Sequence, residues 1–263
     1  MTPVLSFDIE TIPDIAGIRT LFHLDDSVND AEVADFALQR RRAQSGHDFL
    51  PLHLHRIIAI SCVLRWSTKV MVKTIGTPDD SEASLLQTFF DTLERYTPQL
   101  VSWNGGGFDL PVIHYRAMIH RLAAPRYWDM GEQDRDFKWN NYISRYHTRH
   151  LDLMDLLALY QPRANVPLDD LAKLCGFPGK LGMDGSLVWS AWLAGDIEPI
   201  RQYCETDAAN TYLVYLRFQF MRGALSEAGY ATEIQLLHDW IRAQNQEHWR
   251  TFLSMWDNSG KAC

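Results

Sequence analysis

The sequence predicts an α/β fold in which helices flank a mixed β-sheet. Strand-like runs of apolar and β-branched residues dominate the chain up to residue 104, and apolar residues at helical spacing dominate the remainder. Strands followed by strand–helix alternation are typical of a sheet covered by helices. Five segments are predicted as strands, namely residues 4–11, 56–66, 70–76, 99–104 and 150–155.

The predicted elements follow one another without an internal repeat. Only a short polar stretch at 67–69 separates the second and third strands, which predicts a hairpin. Between the third and fourth strands, apolar residues recur at helical spacing over 81–96, and Ser81 is a suitable N-cap for that helix. A long helix is predicted over about 197–222, and the segment SEAGYATEIQLLHDWIRA predicts another helix after it.

Two segments depart from this pattern. Residues 13–55 separate the first two strands and carry three consecutive arginines beside a helical stretch, whereas residues 126–150 mix aromatic, basic and acidic residues without clear periodicity. Loops of that length are often functional. We predict a single domain over 1–263, with an insertion at about 13–55, a loop excursion at about 126–150 and a C-terminal helical extension at about 224–263.

Bulk composition narrows the class of protein. The chain has 263 residues, is 46% hydrophobic and carries a formal charge of −8, so contact with nucleic acid must be local or carried by metal ions rather than by a general basic surface. It has no apolar stretch of about 20 residues and no basic N-terminal region, so neither a membrane span nor a signal peptide is expected. The four cysteines form no CxxC pair, and a reducing, cytoplasmic compartment is expected.

Three acidic clusters are the candidates for chemistry. Asp8 and Glu10 in FDIET lie two residues apart on a predicted strand, so both side chains point to the same face. Asp109 in WNGGGFDLP follows three glycines after a predicted strand, and Tyr203 and Asp207 in YCETD are four apart on a predicted helix. Like charges on one strand face repel each other, and burial adds to their cost.

Each cluster also has a structural explanation when taken alone. The first suits the solvent face of an edge strand, Asp109 suits a helix N-cap, and the third suits an ordinary pair on an amphipathic helix. The glycines match neither GxxxxGK[ST] nor GxGxxG, which argues against a nucleotide loop. A central strand, however, would not carry two acids on one face without a function. Four converging carboxylates are typical of a site for two divalent cations, Mg²⁺ or Mn²⁺.

The motifs FDIET, NGGGFD and YCETD resemble the three exonuclease motifs of the DEDD superfamily, in its tyrosine-bearing branch. They look most like the proofreading exonuclease domain of family B DNA polymerases, as found in stand-alone predicted 3′–5′ exonucleases. The resemblance extends over nearly the whole chain and includes HLDLMDLL, VPLDDLAKLCGFPGK and GMDGSLVW. The sister branch has a histidine five residues before the last aspartate, where this chain has Gln202. The resemblance implies a ribonuclease H-like fold, with a mixed five-stranded sheet and flanking helices.

The resemblance also implies a role for each site residue. Asp8 would bridge both metals, Glu10 and Asp207 would hold the ion that activates the attacking water, and Asp109 would support the second ion. Tyr203 would orient that water. Hydrolysis would release 5′-mononucleotides from a 3′ end, and this direction follows from the resemblance alone.

Substrate contacts are expected near the same motifs. Thr11, Asn104 and Phe108 are the candidate substrate-binding residues, although strand termination would also explain Thr11 and turn capping would explain Asn104. Other residues could contact phosphates or stack on bases, but local packing or a solvated loop is the favoured interpretation for each, namely Lys180, Arg145, His147, Arg149, Trp128, Trp139 and Tyr142.

Three functions remain open from the sequence. The first is a 3′–5′ exonuclease acting on DNA 3′ ends, with single strands favoured; proofreading would then require a replication or repair partner, because no polymerase domain fits in 263 residues beside this one. The second is a 3′–5′ exoribonuclease on RNA or short oligonucleotides, because recognition of the 2′-OH needs only one or two contacts. The third is a non-catalytic module that binds nucleic-acid ends, and the presence of all five site residues argues against it.

Overall fold

One mixed sheet organises the molecule. The computed structural model describes residues 2–259, and the five strands in this range are Val4–Pro13 (β1), His55–Trp66 (β2), Lys69–Thr74 (β3), Gln99–Ser102 (β4) and His150–Asp152 (β5). Their order is β3-β2-β1-β4-β5, with antiparallel pairing among the first three and parallel pairing among the last three. The predicted mixed five-stranded sheet with flanking helices is confirmed, and β1 is its central strand.

The two ladders of β1 differ in length. Its antiparallel ladder with β2 runs along the whole strand, whereas its parallel ladder with β4 covers only Val4–Ser6. Beyond Ser6, β1 is therefore paired on one side only. A register shift between Glu10 and Thr11 leaves Ile58 of β2 as an extra residue, and such a bulge increases the local twist. The acidic part of β1 thus lies where the sheet opens.

Helices cover both faces of this sheet. Within residues 2–259 the α-helices are Ile15–Phe22 (α1), Asp30–Ser45 (α2), Glu82–Tyr96 (α3), Asp109–Ile119 (α4), Pro125–Trp128 (α5), Leu153–Leu157 (α6), Leu168–Leu174 (α7), Val188–Leu193 (α8), Ile197–Met221 (α9), Glu227–Arg242 (α10) and Glu247–Ser259 (α11). Ser81 caps α3 by accepting a hydrogen bond from the Ser84 N–H at 3.2 Å, as predicted. No helix in this range is long and apolar enough to span a bilayer.

The alternation of side chains along β1 decides which helices its residues meet. Leu5, Phe7 and Ile9 belong to the core that also contains the apolar faces of α3 and α4. Val4 packs in the opposite core, with α9. The Ser6 hydroxyl donates to the Ala208 carbonyl of α9 at 3.2 Å. Even-numbered residues of β1 therefore face α9.

The segments outside the sheet fold into small local structures. The insertion forms α1 and α2, which share a core around Ile18 and Val33. The excursion holds a buried stack of Tyr127 on Tyr142, with ring centroids 5.5 Å apart. In the C-terminal extension α10 packs against α9 and α11 packs against α10, while residues 260–263, like Met1, lie outside the described range. The single-domain organisation stays a prediction.

Candidate active site

All five predicted catalytic residues line one cavity of about 510 Å³ beside β1 and α9. Asp8 and Glu10 come from β1, Asp109 from the start of α4, and Tyr203 and Asp207 from α9. The three acidic clusters are far apart in the sequence. The fold brings them together because β1 and β4 are neighbours in the sheet and α9 packs across the same face of β1.

Asp8 and Glu10 share the face of β1 that looks at α9. An oxygen atom from each lies within 4.8 Å of the other and of the Cys204 sulfur. The Cys204 thiol donates to the Asp8 carbonyl at 3.3 Å, which holds α9 close to the strand. Glu10 is buried and Asp8 is partly buried. The edge-strand explanation of this pair is therefore wrong, because β1 is central.

Asp109 is positioned by the NGGGFD loop that follows β4. Asp152 holds this loop by accepting hydrogen bonds from the N–H groups of Asn104 (3.0 Å) and Gly106 (2.8 Å). A Cβ atom at Gly105 would lie 2.3 Å from the Ser102 hydroxyl oxygen, so the loop packs too closely for a side chain there. Asp109 is the first residue of α4, and Phe108 takes the cap position. The N-cap explanation of Asp109 is therefore wrong.

Tyr203 and Asp207 lie one helical turn apart on α9, and Lys180 joins them. The Lys180 ammonium donates to the Tyr203 hydroxyl oxygen at 2.7 Å and lies 4.0 Å from an Asp207 oxygen. The other oxygen of Asp207, Oδ1, is buried and has no hydrogen-bond partner within residues 2–259. The segment before Lys180 is docked on α9 by two hydrogen bonds between Gly179 and the Asn210 side chain. Lys180 is thus held in the cavity.

Burial raises the pKa of all four carboxyl groups. The pKa values of Asp8 and Glu10 are raised well above the usual range, first by burial and then by repulsion from the other carboxylates. Burial also raises the pKa of Asp109 to about 7 and that of Asp207 to about 6, the latter in spite of the nearby Lys180 charge. Burial raises the pKa of the Tyr203 phenol as well, so this hydroxyl keeps its proton. The cavity therefore holds more potential negative charge than its own cation can balance.

This donor set fits a hard divalent cation. Carboxylate oxygens are the ligands that Mg²⁺ and Mn²⁺ prefer, and a bound cation would reverse the rise in pKa by favouring the ionised forms. The unpartnered Asp207 Oδ1 is a buried acceptor that a cation would satisfy. The residues that could hold such ions are Asp8, Glu10, Asp109 and Asp207.

The three candidate substrate-binding residues lie on the rim of this cavity or next to it. Asn104 and Phe108 line the carboxylate cavity, whereas Thr11 lines an adjoining cavity of about 540 Å³ that also contains Glu10 and Phe108. The Thr11 hydroxyl is hydrogen-bonded to His55 Nδ1 at 2.9 Å. Phe108 therefore lies between these two adjoining cavities and lines both of them.

Two neighbours of the carboxylates, Lys180 and Cys204, are not among the predicted site residues. Packing or a solvated loop was the favoured interpretation of Lys180, but its ammonium faces the site. Cys204 had no predicted role, although it lies against Asp8. The glycines on both sides of Lys180 could have indicated a role in the site, because a lysine in a glycine-rich turn has no obvious packing role. Local packing is the favoured interpretation of Tyr142, and the structure agrees with it: the ring is buried and the hydroxyl donates to the Pro98 carbonyl at 2.6 Å.

Comparison with known proteins identifies the family. No curated protein matches the chain. A family model described as a predicted 3′–5′ exonuclease related to the exonuclease domain of PolB matches residues 47–256. This range contains Asp109, Tyr203 and Asp207, and it begins after β1. Because the match covers most of the chain, the protein belongs to this family of predicted 3′–5′ exonucleases related to the exonuclease domain of PolB.

Proposed function

We propose that the protein is a two-metal-ion 3′–5′ exonuclease that releases 5′-mononucleotides from DNA 3′ ends, with Mg²⁺ or Mn²⁺ as cofactor. The observation that carries this proposal is the convergence of four carboxylates from three separate elements in one cavity. Their raised pKa values and the unpartnered Asp207 oxygen support cations as the missing charge.

The four carboxylates would hold two cations between β1, α4 and α9. When bound, these ions supply the positive charge that activates an attacking water and stabilises the charge developing on the phosphate. Asp8 is the candidate for the shared ligand, because it is repelled by Asp109, Glu10 and Asp207 alike. Its removal should therefore impair both ion positions.

Tyr203 and Lys180 would orient the attacking water. Lys180 donates to the Tyr203 hydroxyl oxygen, so the phenolic proton remains free to be donated to another acceptor. A water held there would release one proton to solvent as its oxygen attacks the phosphorus of the last phosphodiester, and the bond from phosphorus to the upstream 3′ oxygen would break. The leaving 3′ oxygen takes up a proton from solvent. The products are a 5′-mononucleotide and a strand with a new 3′-hydroxyl.

The proposed substrate is an unpaired 3′ end, which would enter the open cavity of about 510 Å³ that the carboxylates line. The proposed contacts to the terminal nucleotide are Thr11, Asn104 and Phe108. Asn104 and Phe108 line the carboxylate cavity, and Thr11 lines the adjoining one.

Digestion of labelled strands tests this function. A 5′-labelled single-stranded DNA and an RNA of the same sequence are incubated with Mg²⁺, Mn²⁺ or EDTA. We expect stepwise shortening with either cation and none with EDTA, and Asp8→Asn should lower the rate by orders of magnitude. Asp79→Asn, an exposed aspartate in the turn after β3, is the matched control and should keep full activity.

Two results would contradict the proposal. Shortening in EDTA would exclude the role of the cations, and full activity of Asp8→Asn would exclude the assigned site. The ratio of DNA to RNA cleavage decides between the proposed DNA substrate and the exoribonuclease alternative. Tight binding of a folded sample without any cleavage would instead favour the non-catalytic module.

A further inference from the structure

A second large cavity lies on the other side of the NGGGFD loop. Its volume is about 650 Å³, and it is bounded by α4, the excursion at 126–150, α6 and the end of α9. It runs along the edge strand β5, which contributes His150 and Leu151 to its wall. None of the five predicted catalytic residues lines it.

The NGGGFD loop lies between this cavity and the carboxylates, and its residues 104–106 form a ridge between the two cavities. Asn104 lines the carboxylate cavity, and Gly106, two residues on, lines the second cavity. Gly106 is exposed and presents only backbone on this ridge. Asp152 fixes the ridge through its hydrogen bonds to both residues. Gly106 therefore places no side chain of its own in the path of a strand that leaves the carboxylates across this loop.

Exposed aromatic rings stand around the second cavity. Trp128 is 50% exposed and Tyr146 is 82% exposed. The Tyr146 ring lies 6.5 Å from that of Tyr160, and the Trp128 ring lies 4.8 Å from that of His114. Exposed rings of this size keep a large apolar area in water, and they offer faces on which bases stack regardless of sequence.

The two histidines that line the cavity are neutral. Burial lowers the pKa of His114 and of His150 to about 4, so both imidazoles are uncharged near neutral pH. A neutral lining suits an uncharged base better than a phosphate.

Positive charge borders the same space in an otherwise acidic protein. The Arg145 guanidinium lies 4.3 Å from the centroid of the Tyr160 ring, and within residues 2–259 it forms no salt bridge. Arg222, at the end of α9, is also exposed there. Two acidic residues also line the cavity. Asp152 accepts hydrogen bonds from the NGGGFD loop, and Asp155 lies near the positive charge of Arg145. The rim can thus contact phosphates.

From this arrangement we infer that the second cavity binds the single-stranded nucleic acid upstream of the scissile bond, with its bases stacked on Tyr146 and Trp128. The inference rests on the proposed nuclease function, since it names how the same substrate continues past the carboxylates. Arg145 contacts the phosphates between the stacked bases. The excursion at 126–150 is then a binding element for several nucleotides of the strand.

Binding measured without cleavage gives the first test. Fluorescence anisotropy with a labelled oligothymidylate of eight nucleotides in EDTA reports affinity independently of hydrolysis. Tyr146→Ala should weaken binding at least about fivefold, because each base stacked on an aromatic ring contributes substantially to affinity. Arg145→Gln should reduce the salt dependence of binding by about one phosphate contact. Trp139→Ala is the matched control, because Trp139 is 76% exposed in the same segment but does not line the cavity.

Substrate length gives the second test. With Mg²⁺ present, Tyr146→Ala should lower kcat/KM for the octanucleotide several-fold and leave that for a dinucleotide unchanged, because a dinucleotide ends before the ridge. Equal affinity of wild type, Tyr146→Ala and Trp139→Ala for the octanucleotide would overturn the inference, as would equal losses on both substrates. If wild type cleaves neither substrate, the proposed function fails, and the anisotropy series still decides whether the cavity binds the strand.

Discussion

At the scale of single residues, the hydrogen bond between Lys180 and Tyr203 leads to a direct test of how the two side chains act. The ammonium donates to the phenol oxygen, and Asp169 in turn accepts the Lys180 backbone N–H at 2.7 Å. Lys180 is two-thirds buried, so it cannot move freely in water. If it acts by orienting Tyr203, its effect on the reaction should depend on the phenol being present.

Tyr203→Phe and Lys180→Met should therefore act as a unit. We expect each to lower kcat about 10- to 100-fold, the size of one lost hydrogen bond in a desolvated site, with little change in KM. The double variant should lose little more than Tyr203→Phe alone, because the two groups share one task. Single-turnover cleavage of labelled DNA measures the rate of each single variant and of the double variant.

The control for that pair is Lys69→Met, which removes an exposed lysine at the start of β3. Its rate should match wild type. Losses of Tyr203→Phe and Lys180→Met that multiply in the double variant would show that Lys180 has a role independent of the phenol.

At the scale of elements, the site depends on how closely α9 approaches β1. Ser6, Cys204 and Ala208 have small side chains at this contact, and two of them donate hydrogen bonds across it. The short ladder between β1 and β4 leaves room beyond Ser6 for the acids and for the NGGGFD loop. Strand length and small residues together determine the shape of the cavity.

The C-terminal helices hold α9 in place from the far side. Glu233 of α10 accepts two hydrogen bonds from the Arg65 guanidinium of β2, at 2.6 and 2.7 Å, and both side chains are buried. The Tyr212 hydroxyl of α9 lies 3.4 Å from the same carboxylate. Three elements therefore share one buried ion pair.

Removing one partner of this pair should destabilise the fold strongly. Glu233→Ala leaves the Arg65 charge buried without a counter-ion, and we expect the free energy of unfolding to fall by about 3–5 kcal/mol. Urea denaturation measures this loss. Glu227→Ala, in the first turn of the same helix and exposed, should change stability much less. Equal effects of the two substitutions would contradict the structural role of the ion pair.

At the scale of the whole molecule, the acidic cavity makes stability depend on pH and on cations. The pKa of Asp109 is raised to about 7 by burial, so the folded protein keeps a proton that the unfolded chain releases near pH 4. Between these values the folded state binds more protons, and the free energy of unfolding therefore falls as pH rises. Above about pH 7 this contribution is lost.

The Asp109 contribution should thus lower the Tm of the metal-free protein at pH 8 relative to pH 5. Thermal unfolding in EDTA measures the Tm at both pH values. Asp109→Asn should show a smaller difference in Tm between pH 5 and pH 8, because the amide does not ionise. Added Mn²⁺ should raise the Tm of wild type more at pH 8 than at pH 5, where protons compete for the ligands. An identical pH dependence in wild type and Asp109→Asn would contradict this explanation.

Much of the fold could be predicted from local patterns, because those patterns act over a few residues. The period-two run around FDIET, the helical spacing over 81–96 and the long apolar helix after residue 197 all appear in the structure near the predicted positions. The last predicted strand, 150–155, is shorter than expected. It ends at Asp152, which caps α6 by accepting a hydrogen bond from the Asp155 N–H. That cap competes with strand extension, and sequence spacing alone could not decide between them.

The sequence by itself determined which residues could do chemistry, because two acids on one strand face and a tyrosine and an aspartate on one helix face follow from backbone periodicity. Only the tertiary structure decided that these faces meet. The order of strands puts β1 in the centre, and the packing of α9 across it brings together Lys180 and Tyr203, which are 23 positions apart in the chain. Contacts between distant segments depend on how whole elements pack, and no local spacing records that. The second cavity, built from four such segments, belongs to the tertiary structure for the same reason.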